Sequence, residues 1–279
     1  MELITRSLVQ TLLPPRNQLG HKGNFGRVYV WGGCTGYTGA PIYAGEAAMR
    51  TGSGLVYVGV PTAIYPIAAA QCGAAMVQPL PDDGELLERM QRCDAVLIGP
   101  GLGRARETEK LVLALLRELT VPVVLDADGI NAVSAHIHVL DGRRGVTVLT
   151  PHEGEFVRLD GDFLPGRSDR ERSAVDFARR HGCVTVLKGP GTIVAGPEGT
   201  VRRNTTGGTG LAKGGSGDIL AGMILSLLGQ GAGPEEAAAC AVWLHGRAGD
   251  LAEAALTAYA MTPLDLLDWL PAAFKDLEE

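Results

Sequence analysis

Short apolar runs recur along the chain at residues 28–32, 55–60, 95–99, 121–126, 146–149 and 184–188. Each is apolar at nearly every position, the pattern of a strand buried on both faces of a parallel sheet. Between them, 40–51, 105–119, 151–159 and 168–180 read as helices. Strands alternating with helices predict βαβ units, and so an α/β fold whose mostly parallel central sheet is covered by helices on both faces. After the last buried run, 192–195 and 200–203 flank Pro197-Glu198-Gly199, which predicts a hairpin. The final third predicts helices over 217–228 and 234–256 and a short piece over 263–269. No linker, low-complexity tract or repeat breaks the pattern. A single domain over 1–279 is therefore expected, with 1–25 as an N-terminal extension or helix.

Two helix starts are marked. Thr150-Pro151-His152-Glu153 combines an N-cap Thr150, Pro151 at N1 and Glu153 at N3, a capping box that sets His152 at N2. Ser168-Asp169-Arg170-Glu171 repeats the Ser-x-x-Glu form, and Gly182 suits the C-terminal end.

Composition narrows the class. Hydrophobic residues make up 46%, enough for a large core. A net charge of −6 argues against holding nucleic acid by bulk electrostatics, although local phosphate binding stays open. Five cysteines with no CxxC pair read as a reduced intracellular protein without a zinc ribbon. The N-terminus lacks the apolar core of a signal peptide, and the run 219–228 is too short to span a bilayer. A cytoplasmic protein with no membrane contact is expected, and the Asn204-Thr205-Thr206 sequon then carries no meaning. His136 and His138 have no ligand near them in sequence, so no metal site is expected there.

The strongest chemical signal is the glycine-rich segment 204–218, followed at once by the apolar helical run Ile219-Leu220-Ala221-Gly222-Met223-Ile224-Leu225. Glycines let backbone N–H groups converge on an anion, and the helix points its positive end at the same place. The segment is not a P-loop, because Ala212 precedes Lys213 and no Ser or Thr follows it. Asp218 falls in the first helical turn, where it could deprotonate a substrate hydroxyl or merely cap the helix; spacing fits both. Lys188-Gly189-Pro190-Gly191-Thr192 ends a buried strand, where open α/β sheets collect ligands, yet it could be a plain turn with Lys188 solvated. His152 could donate to a ligand or be structural. Gly103, in Gly99-Pro100-Gly101-Leu102-Gly103, and Ala40, after Gly36-Tyr37-Thr38-Gly39, carry little by themselves. Asp126 and Asp128 could approach a cation or ribose, or be ordinary turn residues before Gly129.

Taken together, these segments resemble a known family. Gly214-Gly215-Ser216-Gly217-Asp218 ahead of an apolar helix looks like the anion hole and catalytic aspartate of ribokinase-like small-molecule kinases. With 149–156, 186–192 and 206–218 in that order, the chain resembles the ADP/ATP-dependent NAD(P)H-hydrate dehydratases from about residue 26 to residue 249. The resemblance implies a ribokinase-like single domain that phosphorylates the ring hydroxyl of the S epimer of hydrated NADH or NADPH, then expels phosphate. It implies Asp218 as base and the amides of Gly214, Gly215, Ser216 and Gly217 as anion hole. Lys188, Gly189, Pro190, Gly191 and Thr192 would bind nucleotide, and Ala40, Gly103, His152 and Asp218 would touch the hydrated dinucleotide. ADP, or ATP, would be co-substrate, with Mg2+ held mainly by phosphates and water and no dedicated protein metal ligand. A homo-oligomer, a tetramer by analogy, is implied, working with a separate NAD(P)H-hydrate epimerase, since only about 25 residues precede the first strand. The rival reading is a kinase of the same fold acting on a hydroxymethylpyrimidine, a thiazole alcohol or a sugar; Thr150-Pro151-His152-Glu153-Gly154-Glu155-Phe156 favours the dehydratase.

Overall fold

The computed structural model describes residues 1–278. Its strands are β1 (Glu2–Ile4), β2 (Arg27–Trp31), β3 (Leu55–Val60), β4 (Met76–Pro79), β5 (Ala95–Ile98), β6 (Val123–Leu125), β7 (Thr147–Leu149), β8 (Val184–Leu187), β9 (Ile193–Ala195) and β10 (Val201–Asn204). They form one sheet in the order β1-β10-β9-β8-β7-β6-β5-β2-β3-β4. All neighbours are parallel except at β9, which runs against both β8 and β10 and forms the expected hairpin with β10.

The helices are α1 (Arg6–Leu12), α2 (Gly39–Arg50), α3 (Tyr65–Gln71), α4 (Asp83–Gln91), α5 (Arg106–Glu118), α6 (Asp128–Val133), α7 (Glu153–Leu159), α8 (Arg170–His181), α9 (Ser216–Gly229), α10 (Pro234–Ala260) and α11 (Pro263–Glu278). Alternation along β2 shows how the sheet divides the core. Val28 and Val30 face a cluster shared with α2, α9, α10 and α11, while Tyr29 and Trp31 face one shared with α4, α5, α7 and α8. Both faces are dry, which is why the strand runs lack polar alternation.

Several elements differ from the sequence reading. β1 and β4 go unsignalled because they are short edge strands; β4 is half-exposed and ends on Pro79. The capping box sits two residues later than expected. Thr150 is fully buried and donates to Asp126 Oδ1 at 2.7 Å, so it is not free to cap. His152 is the N-cap instead: its Nδ1 accepts from the Glu155 amide, and Glu155 accepts from the His152 amide at 2.9 Å. At α8 the cap is Asp169, not Ser168, with Gly182 closing the helix in the left-handed region as expected. α10 runs on to Ala260, but its regular geometry breaks at Thr257 (φ 71°, ψ 153°), one residue past the predicted end. α11 continues through the exposed Pro271 to Glu278, well beyond 269, because Leu266, Leu267 and Leu270 bury against the α10 face. No helix among the described residues is long and apolar enough to cross a membrane.

The position of α9, which carries Asp218, depends on its contact with α2. A Cβ on Gly222 would lie 2.1 Å from the carbonyl oxygen of Ala44, so the two helices touch backbone to backbone. Gly222→Ala is expected to cost about 1–3 kcal/mol through overpacking. In a chain of this size that lowers Tm by roughly 2–10 °C, read by calorimetry. An unchanged Tm would mean that α2 slides without penalty.

Candidate active site

The C-terminal ends of β5, β6, β7 and β8 place four loops side by side, and α9 points its N-terminus at them. β6 ends into Asp126, buried to 1% exposure. Lys188, one residue past β8, places Nζ 3.0 Å from Asp126 Oδ1 and 3.9 Å from Glu155 Oε2. Thr150, one residue past β7, donates to the same Asp126 oxygen. Lys188 is therefore no solvated strand-end residue. Burial alone would lower its pKa, but Asp126, Glu155 and Asp218 around it outweigh burial and hold the ammonium above its usual value.

Between Asp126 and Asp128, Ala127 takes φ 47°, ψ −114°, a conformation costly for a residue with a Cβ. That kink turns the two carboxylates to different tasks. Asp126 binds Lys188, while Asp128 accepts from the Gly103 amide at 2.9 Å. Gly99 is glycine because a Cβ there would overlap the Asp126 carbonyl oxygen at 1.7 Å. The β5 and β6 loops can approach this closely only because that side chain is missing.

The glycine-rich loop closes the other side. Gly215, at φ +103°, is the N-cap of α9. The Ser216 amide makes a long bond of 3.3 Å to Lys213 O. Among the described residues, the amides of Gly214, Gly215, Gly217 and Asp218 have no acceptor. These are the orphan donors of a helix start, an arrangement able to accept an anion. The loop is tied from behind by Asp250, which accepts from Gly207, and by Glu253, which accepts from Gly210. His245 of α10 is buried, and burial depresses its pKa to about 4, so it is neutral and its Nε2–H donates to Ser216 O at 2.9 Å.

Asp218 lies at the junction of these loops. Burial pushes its carboxyl up to about 7, with Asp126 adding to the rise, Lys188 opposing it, and Asp128 and Glu155 contributing more weakly. A carboxylate with this poise is an effective base near neutral pH. A plain cap would gain from ionisation at a helix start, and here burial and three acids outweigh that gain.

A cavity of about 380 Å³ adjoins this junction. The Lys188-Gly189-Pro190-Gly191-Thr192 turn lines it together with Gly207, Gly208, Thr209, Leu211, Ala212, Ser216 and Gly217 of the glycine-rich loop, with His245 at its wall. Gly189 (φ +143°) and Gly191 (φ +59°) make the turn, and the Arg170 guanidinium holds its Leu187, Lys188 and Pro190 carbonyls. Gly214, Gly215 and Asp218 flank its lining residues Ser216 and Gly217 in the chain without lining it themselves, and the other predicted residues lie outside it. His152 is linked to it through Glu155 and Lys188, and Gly103 through Asp128. Ala40 would be 3.2 Å from a Cβ on Gly101, and Tyr43 of the same helix packs at Gly215. The sequence reading missed Thr150, Glu155 and His245 as members of this network and left Asp126 open. Thr150 and Glu155 stand inside a segment the sequence singled out, but the contacts that bind them into this network are distant in the chain: the Asp126 bonds to Thr150 and Lys188 span 24 and 62 residues.

The sheet order and this site define a class: an α/β protein of the ribokinase-like kind, as in a ribokinase-like superfamily protein of known structure. A crystal structure of an ADP/ATP-dependent NAD(P)H-hydrate dehydratase from Bacillus subtilis, co-crystallised with ATP/Mg2+, superposes with a TM-score of 0.86 at 31% identity, covering 99% of this chain and 98% of that one. An ADP-dependent (S)-NAD(P)H-hydrate dehydratase of Neisseria meningitidis is 38% identical over 88% of this chain and 86% of its own length. A bifunctional NAD(P)H-hydrate repair enzyme of Moorella thermoacetica is 42% identical over 99% of this chain, which spans 54% of that enzyme. The chain thus spans about half the length of the bifunctional relatives it matches. The NAD(P)H-hydrate dehydratase family model matches residues 28–272, and the chain belongs to that family.

Proposed function

We propose that this chain is an ADP-dependent dehydratase, a carbon–oxygen lyase that returns the S epimer of hydrated NADH or NADPH to the normal cofactor. The observation that carries the proposal is Asp218. A largely buried carboxylate with its pKa pushed up to about 7 stands in the first turn of α9, beside free amides and next in the chain to Gly217, which lines the cavity. The nucleotide lies on the Lys188-Gly189-Pro190-Gly191-Thr192 turn, with its terminal phosphate on the amides of Gly214, Gly215, Ser216 and Gly217. The hydrated ring approaches from the side of Ala40, Gly103 and His152. Asp218 takes the proton of the ring hydroxyl as its oxygen attacks phosphorus and the nucleotide leaves one phosphate shorter. The ring C–O bond then breaks, phosphate leaves with the electron pair, and the adjacent ring carbon loses a proton to restore the double bond. The chemistry needs phosphate as leaving group because hydroxide is a poor one. The free amides supply preformed donors where charge develops on phosphorus.

The donor set fits Mg2+. Asp126 Oδ1 takes the bonds from Thr150 and Lys188, which leaves Asp126 Oδ2 as a hard oxygen without them, while nucleotide phosphates and water would supply most of the ligands. When bound, the ion would neutralise phosphate charge. Two further readings carry over from the family resemblance of the sequence: a cytoplasmic homotetramer, and operation alongside an NAD(P)H-hydrate epimerase, a second repair activity that the bifunctional relatives would suit. The whole of 1–279 acts as one domain in this reading, with the N-terminal 25 residues as an extension that contributes β1 and α1.

The test is to incubate the purified chain with hydrated NADH and either ADP or ATP, following the return of nicotinamide absorbance. Recovery is expected with ADP, in equal amounts with phosphate release. No recovery with either nucleotide sinks the proposal, and phosphorylated hydroxymethylpyrimidine, thiazole alcohol or sugar would identify the kinase reading instead.

A further inference from the structure

We propose that His138, Asp141 and His181 form a binding site for a divalent transition-metal ion of the zinc class, separate from the catalytic site. Sequence spacing gave His138 no second imidazole, because His181 comes from a different element. His138 lies in the 3-10 turn Ile137–Leu140, Asp141 caps that turn, and His181 is the last residue of α8. Asp141 sits between the rings, with Oδ2 2.8 Å from His138 Nδ1 and Oδ1 2.8 Å from His181 Nδ1. The three candidate donor atoms all lie within 4.8 Å of one another.

Three physical features favour a metal over a simple hydrogen-bonded cluster. First, imidazole nitrogens and a carboxylate oxygen are the donors that zinc-class ions take in three-ligand sites. Second, one ligand is fixed. His181 has 3% of its side chain exposed, and the Phe177 ring packs on it with centroids 4.7 Å apart. Its rotamer is set before any ion arrives, which lowers the ordering cost of binding. Third, the C-terminal ends of α8 and of the 3-10 turn converge here, and helix C-termini favour positive charge.

The remaining adjustment is small and falls on the mobile ligand. Tetrahedral coordination at zinc–nitrogen distances near 2.1 Å puts ligand atoms about 3.3 Å apart. His138 is 85% exposed and free to close that gap, and its open side admits water as fourth ligand. Each ring now directs Nδ1 at the carboxylate. In the metal-free cluster each Nδ1–H donates to the carboxylate; on binding, the ion takes Nδ1 and each neutral ring carries its proton on Nε2 instead, exchanged through water. Bound metal would clip the α6–β7 connection to the end of α8, stabilising the protein at the opposite end of β8 from Lys188.

The test uses the full chain stripped with a chelator and titrated with Co2+ at pH 7.5, read by visible absorption, with zinc as competitor. The wild type is expected to take one equivalent into an N/O site that zinc displaces. His138→Ala and Asp141→Asn should each bind at least about tenfold more weakly, since losing even a partner behind a metal ligand costs about that much. Zinc should raise the Tm of the wild type and leave that of His138→Ala unmoved. The dehydration assay should read the same for His138→Ala as for wild type, whichever reaction the catalytic site performs. Equal affinity in wild type and His138→Ala, or no saturable Co2+ binding by the wild type, overturns the assignment.

Discussion

Asp218→Asn is expected to lower turnover by about 10²–10⁴-fold, the usual worth of a positioned general base, while nucleotide affinity changes by less than about threefold. Asparagine keeps the size of the side chain and removes only the proton-accepting charge. The affinity should hold because the donors to phosphate are the backbone amides at Gly214, Gly215 and Gly217, none of which depends on the Asp218 side chain. With Asp218 near 7, kcat/KM of the wild type should fall about tenfold per pH unit below that value, as the base is consumed by its own proton. Unchanged turnover in the variant, or a flat profile between pH 5 and 8, would remove Asp218 from the base role.

The same raised pKa makes a stability prediction of opposite sign. A carboxyl that binds its proton more tightly folded than unfolded adds stability at low pH. That contribution is fully present below the usual value of 3.8 and is lost as pH rises through about 7. At pH 8 the buried charge is therefore a net cost, held in place for the reaction. Asp218→Asn should raise Tm by about 2 °C or more at pH 8, and by less at pH 5. An inactive variant that is also less stable at pH 8 would indicate a structural carboxylate.

Legibility in the sequence follows range of interaction. β3 could be read at Leu55–Val60 without error because burial on both faces writes itself into consecutive residues. The glycine loop and the Lys188 turn were readable as backbone, since the positive φ at Gly189, Gly191 and Gly215 demands glycine at fixed local spacing. What depends on chain crossover was not readable. Thr150 looks like an N-cap from its neighbours, but the β6–β7 pairing sets it against Leu125 and Asp126, and a buried carboxylate is the stronger claimant for its hydroxyl. His138 looks isolated until α8 brings up His181. The Asp126–Lys188 pair spans β6, β7 and β8, three adjacent strands that sequence separation scatters over 62 positions.

That pair carries the second large prediction. Lys188→Met should destabilise the protein by roughly 3–5 kcal/mol, because removing one partner leaves buried charge unpaired. Asp126 and Glu155 side chains are 2% and 7% exposed, so water cannot replace the ammonium. With its pKa above 10.5 when folded, Lys188 contributes its stability fully below that value and loses it only as pH rises past the folded pKa. The deficit from the lost ammonium should therefore not shrink between pH 7 and 9. Activity should suffer separately. Lys188 is the one cation opposing the rise at Asp218, so its loss should move the acid limb of the pH profile to higher pH. The double variant Lys188→Met/Asp126→Asn distinguishes the two effects, since it removes the orphaned charge together with its partner. It should recover more than half of the lost stability, as a coupled pair does in a double-mutant cycle, yet turnover should stay low because the cation beside the phosphate is still missing. If the two substitutions simply add in stability, Asp126 and Lys188 are not coupled, and the charge network that sets Asp218 must be drawn differently.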